Sequence, residues 1–253
     1  MDVQTTQASP VIVGVDGSHA ALNAVRWAVA EAVARDVCLR LVHATAGDRG
    51  GPDTVLAEAQ NVVNAGPRSL QVQIDSMVGS PGEVLVRASS EAAMVCIGAL
   101  PAVAGAPAFG STALFLAGHA KCPVAIIRTR ADGTAQTDGV VSVVLTDDDH
   151  TDDLVHLAMH EGRLRGATVR LIDQRTDSWV RRYPDVHVEL AAAGTGRQYC
   201  RGDRSVPGLG LAVVGTREAA ELADIQVPAC HPILGYPDCS VLLIGSPSQF
   251  QHL

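Results

Sequence analysis

From Val11 to Val15 the chain carries no polar side chain, and the run stops at Asp16-Gly17. A short unbroken apolar run that ends in turn residues is the pattern of a strand buried on both faces. Downstream, Ala21, Val25, Ala28, Val29 and Ala32 recur at helical spacing up to Arg35, with Ser18 placed to cap the segment. The period then switches back to strand over Cys38 to Ala44. The pattern predicts a helix over Val55 to Ala65, a strand over Leu70 to Met77, and a helix opened by Gly79-Ser80-Pro81 that runs to Ala93. A strand over Met94 to Gly98, a helix over Ser111 to His119 and a strand over Val124 to Arg128 complete the series. Strands that alternate with helices in this way predict an α/β fold, a mostly parallel five-stranded sheet with helices on both faces.

The same pattern starts again after the polar stretch Arg128 to Gly139, which has the composition of a linker. With 130 added, Val11, Val13, Ala28, Glu31, Arg35 and Leu41 fall on Val141, Val143, Ala158, Glu161, Arg165 and Leu171. With 117 added, Gly98, Gly118, Cys122 and Val124 fall on Gly215, Gly235, Cys239 and Val241. Two ungapped registers indicate a duplicated unit, the first over residues 9–129 and the second over 140–248. The thirteen-residue difference falls where the second helix of the repeat belongs, so the second copy is expected to be trimmed there.

Composition narrows the function classes. Apolar residues make up 47% and charged residues 18%, enough to bury a core. A net charge of −8 argues against a nucleic-acid partner and against an anionic membrane, since both need a basic face. The first ten residues lack the basic n-region of a secretory leader. Ala99 to Gly118, though apolar, is broken by Pro101, Gly105, Pro107 and Gly110, and reads as strand end, loop and buried helix. The six cysteines, Cys38, Cys96, Cys122, Cys200, Cys230 and Cys239, form no CxxC pair, and several sit inside apolar strand-like runs, as small core residues of a reducing compartment do. A cytoplasmic location is the expectation.

In an open parallel sheet, ligands bind beyond the carboxyl ends of the strands. Here that edge is formed by Asp16, the Val42 to Ala44 strand end, Gly98, and Gly110-Ser111-Thr112 at a helix start. A helix N-terminus offers free N–H groups and the positive end of its dipole to an anion. These residues resemble the universal stress protein family. The resemblance rests on Val13-Gly14-Val15-Asp16-Gly17-Ser18, on Leu41-Val42-His43, and on Gly110-Ser111-Thr112 followed by His119-Ala120-Lys121-Cys122-Pro123-Val124. It covers the first unit and, more weakly, the second, like the tandem two-domain type of mycobacteria. It implies two tandem domains of that fold, joined as an intramolecular pseudo-dimer through Val124 to Arg128 and Val241 to Gly245, with a homodimer through other surfaces as the next level of assembly. In the family's ATP-binding branch a first-strand aspartate and a second-strand valine hold adenine, and a Gly-x2-Gly-x9-Gly-Ser/Thr loop holds ribose and phosphates. By position those roles fall on Asp16, Val42, Gly98, Gly110, Ser111 and Thr112, so that ATP or AMP is the expected ligand, in the first unit only.

The loop departs from that pattern. Pro101 stands where the second glycine belongs, and the Gly98 to Gly110 span is one residue short. Pro101 and Pro107 have no N–H to give a phosphate, and no Lys or Arg lies between Gly98 and Thr112. In the second unit Thr146 takes the place of Asp16, and Val227-Pro228-Ala229 replace Gly110-Ser111-Thr112. Plainer roles compete at each position: Asp16 and Ser18 suit a helix-capping turn, Gly110 to Thr112 a simple helix start, and His119 and Lys121 a helix C-terminus. His156 and His160, beside Glu161, lie one turn apart without a third ligand in evident spacing, and read as exposed histidines; no metal is expected. No P-loop lysine and no Gly-x-Ser-x-Gly elbow is present. Three readings stand: a non-enzymatic stress-response or signalling protein gated by an adenine nucleotide, a nucleotide-free scaffold for an unidentified protein partner, and a nucleotide hydrolase.

Overall fold

In the computed structural model, residues 8–47, 53–66, 70–101, 109–144, 151–172, 183–190, 209–215 and 239–244 are described. The first half runs β1 (Val11–Val15), α1 (His19–Arg35), β2 (Leu39–Thr45), α2 (Thr54–Asn64), β3 (Val72–Val78), α3 (Pro81–Ser89), β4 (Met94–Ala99), α4 (Ser111–His119) and β5 (Val124–Arg128). The second half contributes β6 (Val140–Val144), α5 (Thr151–Arg165), β7 (Val169–Ile172), β8 (Val188–Leu190), β9 (Leu209–Val214) and β10 (Ser240–Leu243). Every predicted element of the first half is present. Boundaries of β2, α2, β3 and β4 shift by one or two residues, and α3 stops at Ser89 instead of running to Ala93, because Ala93 N–H already donates to Pro10 O and starts the ladder of β4 beside β1. Local capping explains the other starts. Ser18 accepts from Ala21 N–H, Asp53 from Val55 and Leu56 N–H, and Ser80 from Glu83 N–H, with Pro81 at the first helical position.

All ten strands form one sheet in the order β3-β2-β1-β4-β5-β10-β9-β6-β7-β8. Each half therefore has the same order, read outward from the centre, and every pair within a half is parallel. The ladders reproduce both sequence offsets. Val11↔Leu39 in the first half becomes Val141↔Val169 in the second, and Val95↔Val124 becomes Ala212↔Val241. Leu39↔Val72 becomes Val169↔Val188, so the shortening lies between β7 and β8, where the first half carries α2. The stretch that corresponds in register to α4, Gly235 included, lies outside the described residues, as do Thr146 and Val227 to Ala229.

The halves meet where β5 and β10 pair antiparallel, with Val241↔Ile126, Leu242↔Ala125 and Leu243↔Val124. Ala125 and Leu242 are related by the offset of 117, so a pseudo-twofold axis passes through their pairing. The pairing satisfies backbone groups that two free apolar edges would leave open. Arg128 to Gly139 is ordered and does not behave as a loose spacer: Thr129 bridges Ala135, and the Asn23 side chain donates to Gly133 O and to Thr129 Oγ1.

A second contact joins the halves on one face. Glu31 and Arg35 of α1 and their equivalents Glu161 and Arg165 of α5 converge there. Arg165 Nη2 donates to Glu31 Oε1 at 2.5 Å and to Glu161 Oε2 at 2.6 Å, and its guanidinium lies 4.3 Å from the Trp27 ring centroid. Both carboxylates are fully buried. Burial, followed by the neighbouring Glu31 carboxylate, pushes the Glu161 carboxyl up to about 8, against the pull of Arg165.

Candidate functional site

A cavity of about 720 Å³ opens at the carboxyl ends of β1, β2 and β4. That volume lies within the range of small-ligand clefts. It gathers all six expected residues, Asp16, Val42, Gly98, Gly110, Ser111 and Thr112, which the sequence spreads over nearly a hundred positions. Strand order brings them together, because β2 and β4 flank β1 and the α4 N-terminus lies across the same edge.

The individual side chains divide between fold and opening. Asp16 Oδ1 accepts Ser18 N–H at 2.9 Å, while Ser18 caps α1; Asp16 is exposed. The plain capping role therefore belongs to Ser18, and Asp16 orders the turn with one oxygen. Gly17 adopts φ +81°, a conformation that requires glycine here. Gly98 has a packing reason of its own. A Cβ there would sit 2.2 Å from the backbone carbon and oxygen of Ala20, so glycine lets α1 lie against β4. Gly110 is the reverse case: its φ is −73° and a Cβ would meet nothing within 4 Å.

The α4 N-terminus differs from the other three helix starts in its half. Its N-cap is Gly110, which makes no side-chain cap bond, so the first-turn N–H groups are not satisfied by a side chain of the cap. Of α4 only Ala113 and Leu116 are fully buried, so the predicted buried helix is a half-buried one. At its far end His119 Nδ1 bonds Phe115 O at 2.9 Å and the ring stacks on Phe115, in line with the helix-end role.

The sequence reasoning missed the aromatic and the cation of this cavity. Phe109 lines it beside Gly110, and Arg128 enters from the end of β5. The missed signal was positional. The stretch from Gly98 to Thr112 holds no cation, but β5 neighbours β4, and Arg128 pairs with Ala99. Pro101 lines the cavity as well, while Gly105 and Pro107 lie outside the described residues.

Two other clusters carry chemistry. Glu31, His160 and Glu161 bring ligand atoms within 4.8 Å of one another, a group that could hold a metal ion. Arg165 bonds both carboxylates, so a guanidinium already serves there as the counter-charge. His156 is exposed as expected, but His160 is half-buried, with burial holding its imidazole below the usual histidine value. Cys38, Cys96, Cys122 and Cys239 are buried; burial pushes the Cys122 thiol up to about 12, which leaves it no nucleophilic thiolate at neutral pH. Cys200 and Cys230 lie outside the described residues.

A duplicated doubly wound sheet with a cleft at the ends of its first half's strands defines a class of α/β proteins. Comparison with known proteins identifies the family within that class. The model of the universal stress protein family matches residues 8–128, ending on the last residue of β5. Universal stress protein Rv2624c of Mycobacterium tuberculosis is 34% identical over 262 residues, 92% of this chain and 95% of that one. Universal stress protein Rv3134c of the same organism is 32% identical over 255 residues, 88% and 94% of the two chains. The chain belongs to the universal stress protein family. Among solved structures, a universal stress protein from Archaeoglobus fulgidus superposes with a TM-score of 0.60 at 12% identity, covering 94% of this chain and 97% of that one, a likeness of fold. No helix among the described residues is long and apolar enough to cross a membrane.

Proposed function

We infer that the chain is a non-enzymatic, cytoplasmic stress-response or signalling protein whose first unit, residues 9–129, binds one adenine nucleotide. The observation that carries this reading is the single cavity lined by Asp16, Val42, Gly98 and Gly110-Ser111-Thr112. Asp16 is exposed and can accept from an adenine amino group or a ribose hydroxyl. Val42, Leu85, Ile97 and Phe109 supply apolar wall for a base, and the uncapped α4 start supplies N–H groups for an anion. The second unit, residues 140–248, acts in this reading as a fixed partner that closes the sheet at β10, and a homodimer would form through surfaces other than the fifth strands, whose edges are already paired. The buried thiols suit a reducing compartment.

Affinity should be micromolar or weaker, about −8 kcal/mol. The test is denaturation of the purified full chain with mass spectrometry of what is released, followed by calorimetric titration of AMP. The reading expects adenine nucleotide at no more than one equivalent, and about tenfold weaker binding in Asp16→Ala, the loss of one hydrogen bond to a charged group. Two equivalents of equal affinity would overturn the one-site reading. The absence of any binding would favour the nucleotide-free scaffold, a reading supported by the structural reasons that Gly98 and Asp16 already have.

A further inference from the structure

Arg128 stands at the meeting point of the cavity and the joint between the halves. It is 3% exposed and lines the cavity with Gly98, Pro101, Gly110 and Ser111. Its Nη1 donates to Leu100 O at 2.9 Å, and its guanidinium carbon lies 4.6 Å from the centroid of the Phe109 ring. One side chain thus touches both ends of the segment between Gly98 and Gly110. Its backbone is held as firmly. Arg128 N–H donates to Ser240 Oγ of the second half at 3.0 Å, Ser240 Oγ donates to Gln136 O at 2.6 Å, and Gln136 N–H returns a bond to Arg128 O at 2.7 Å.

Among the described lining residues Arg128 is the one Lys or Arg, and Asp16 the one acid. A buried guanidinium in a wall of low dielectric exerts a stronger field on a ligand than a surface cation does. The α4 start opens into the same cavity and adds its dipole to that field. We propose that Arg128 is the anion-selecting residue of this cavity, and that it makes the site prefer an adenine nucleotide bearing one phosphate over the uncharged nucleoside. This deepens the adenine-nucleotide reading above and rests on it. One guanidinium matches one phosphate. Pro101 gives no N–H for a second, and the net charge of −8 opposes further negative charge, so a triphosphate gains nothing over a monophosphate. In the second unit the offset of 117 places Gly245 where Arg128 stands, so the charge belongs to the first unit alone.

Calorimetric titration of adenosine, AMP and ATP into the full chain, wild type and Arg128→Gln, tests this. Wild type should bind AMP about tenfold more tightly than adenosine, the scale of a hydrogen bond to a charged group, with ATP no tighter than AMP. In R128Q the AMP preference should fall to about one, by loss of AMP affinity with adenosine unchanged. Equal binding of AMP and adenosine by wild type, or an intact preference in R128Q, overturns the role of Arg128 while leaving the adenine site standing. Failure of wild type to bind any of the three overturns the adenine reading itself, and this proposal with it. Should R128Q unfold, judged by its thermal transition, R128K decides. A lysine keeps the charge without the planar fork, so the preference should drop to a few-fold, and a preference equal to wild type overturns the proposal.

Discussion

The seam between the halves and the open edge of the sheet show what duplication preserves and what it releases. At the seam both copies supply matching parts: Glu31 with Arg35 and Glu161 with Arg165, and the self-complementary ladder centred on Ala125 and Leu242. A pseudo-twofold contact uses the same surface of each copy, so a change in either disturbs both. At the open edge the sequences of the two copies diverge. The first keeps Asp16 and Gly110-Ser111-Thr112, and the repeat register sets Thr146 and Val227-Pro228-Ala229 of the second against them. Residues that face their own duplicate are constrained by packing, and residues that face solvent are constrained only by what they bind.

The sharpest test of that contrast removes the cation of the seam. Arg165→Met should cost about 3–5 kcal/mol, because two fully buried carboxyl groups, Glu31 and Glu161, lose the guanidinium that bonds them both. Chemical denaturation of wild type and variant reads this directly. A loss below about 1 kcal/mol, the scale of an exposed ion pair, would mean that the seam is no more demanding than ordinary surface.

The fold was legible because its determinants are local and periodic. Apolar runs and helical spacing located all nine elements of the first half, and the offsets of 130 and 117 anticipated the ladder registers of the second. The six candidate residues were legible for a related reason: they sit at strand ends and a helix start, and a parallel sheet aligns those ends. Arg128 was not, since its part depends on which strand neighbours β4, a fact of strand order rather than of spacing. The burial of Glu31, His160 and Glu161 was illegible too. A charged residue on an amphipathic helix looks solvent-facing until the face it shares with another helix is known.

A smaller effect follows from pH. Glu161 is held protonated in the folded chain up to about 8, against 4.5 for the free side chain. A raised folded pKa contributes stability that is complete below the unfolded value and is lost as pH climbs through the folded one. From pH 6.5 to 8.5 the buried His160, with its lowered value, tilts stability the other way and the raised Cys122 adds to the fall near the upper end, so the comparison with Glu161→Gln is what assigns the slope. The thermal midpoint of wild type should fall across that window, and Glu161→Gln, which cannot ionise, should flatten the slope. An equally steep fall in E161Q would place the titration elsewhere.

The smallest effect on stability should come from Gly110 at the rim of the cavity, and it separates the two glycines that the sequence treats alike. Gly98→Ala forces a Cβ to within 2.2 Å of the Ala20 backbone, which no side-chain rotation can relieve, so α1 must shift from β4 at a cost of about 3 kcal/mol. Gly110→Ala adds the same methyl where nothing lies within 4 Å, on a backbone whose φ of −73° suits any residue, and should change stability by less than about 0.5 kcal/mol. Its effect should fall on binding instead. The added methyl stands at the cavity wall beside the α4 N–H groups and keeps a phosphate from closing on them, so AMP should weaken while adenosine does not. Thermal unfolding of both variants, with titration of AMP and adenosine into G110A, reads the pair together. If G110A destabilises the chain as much as G98A, the rim glycine serves the fold after all. If G110A is stable and binds AMP as wild type does, the α4 start is not where the phosphate sits.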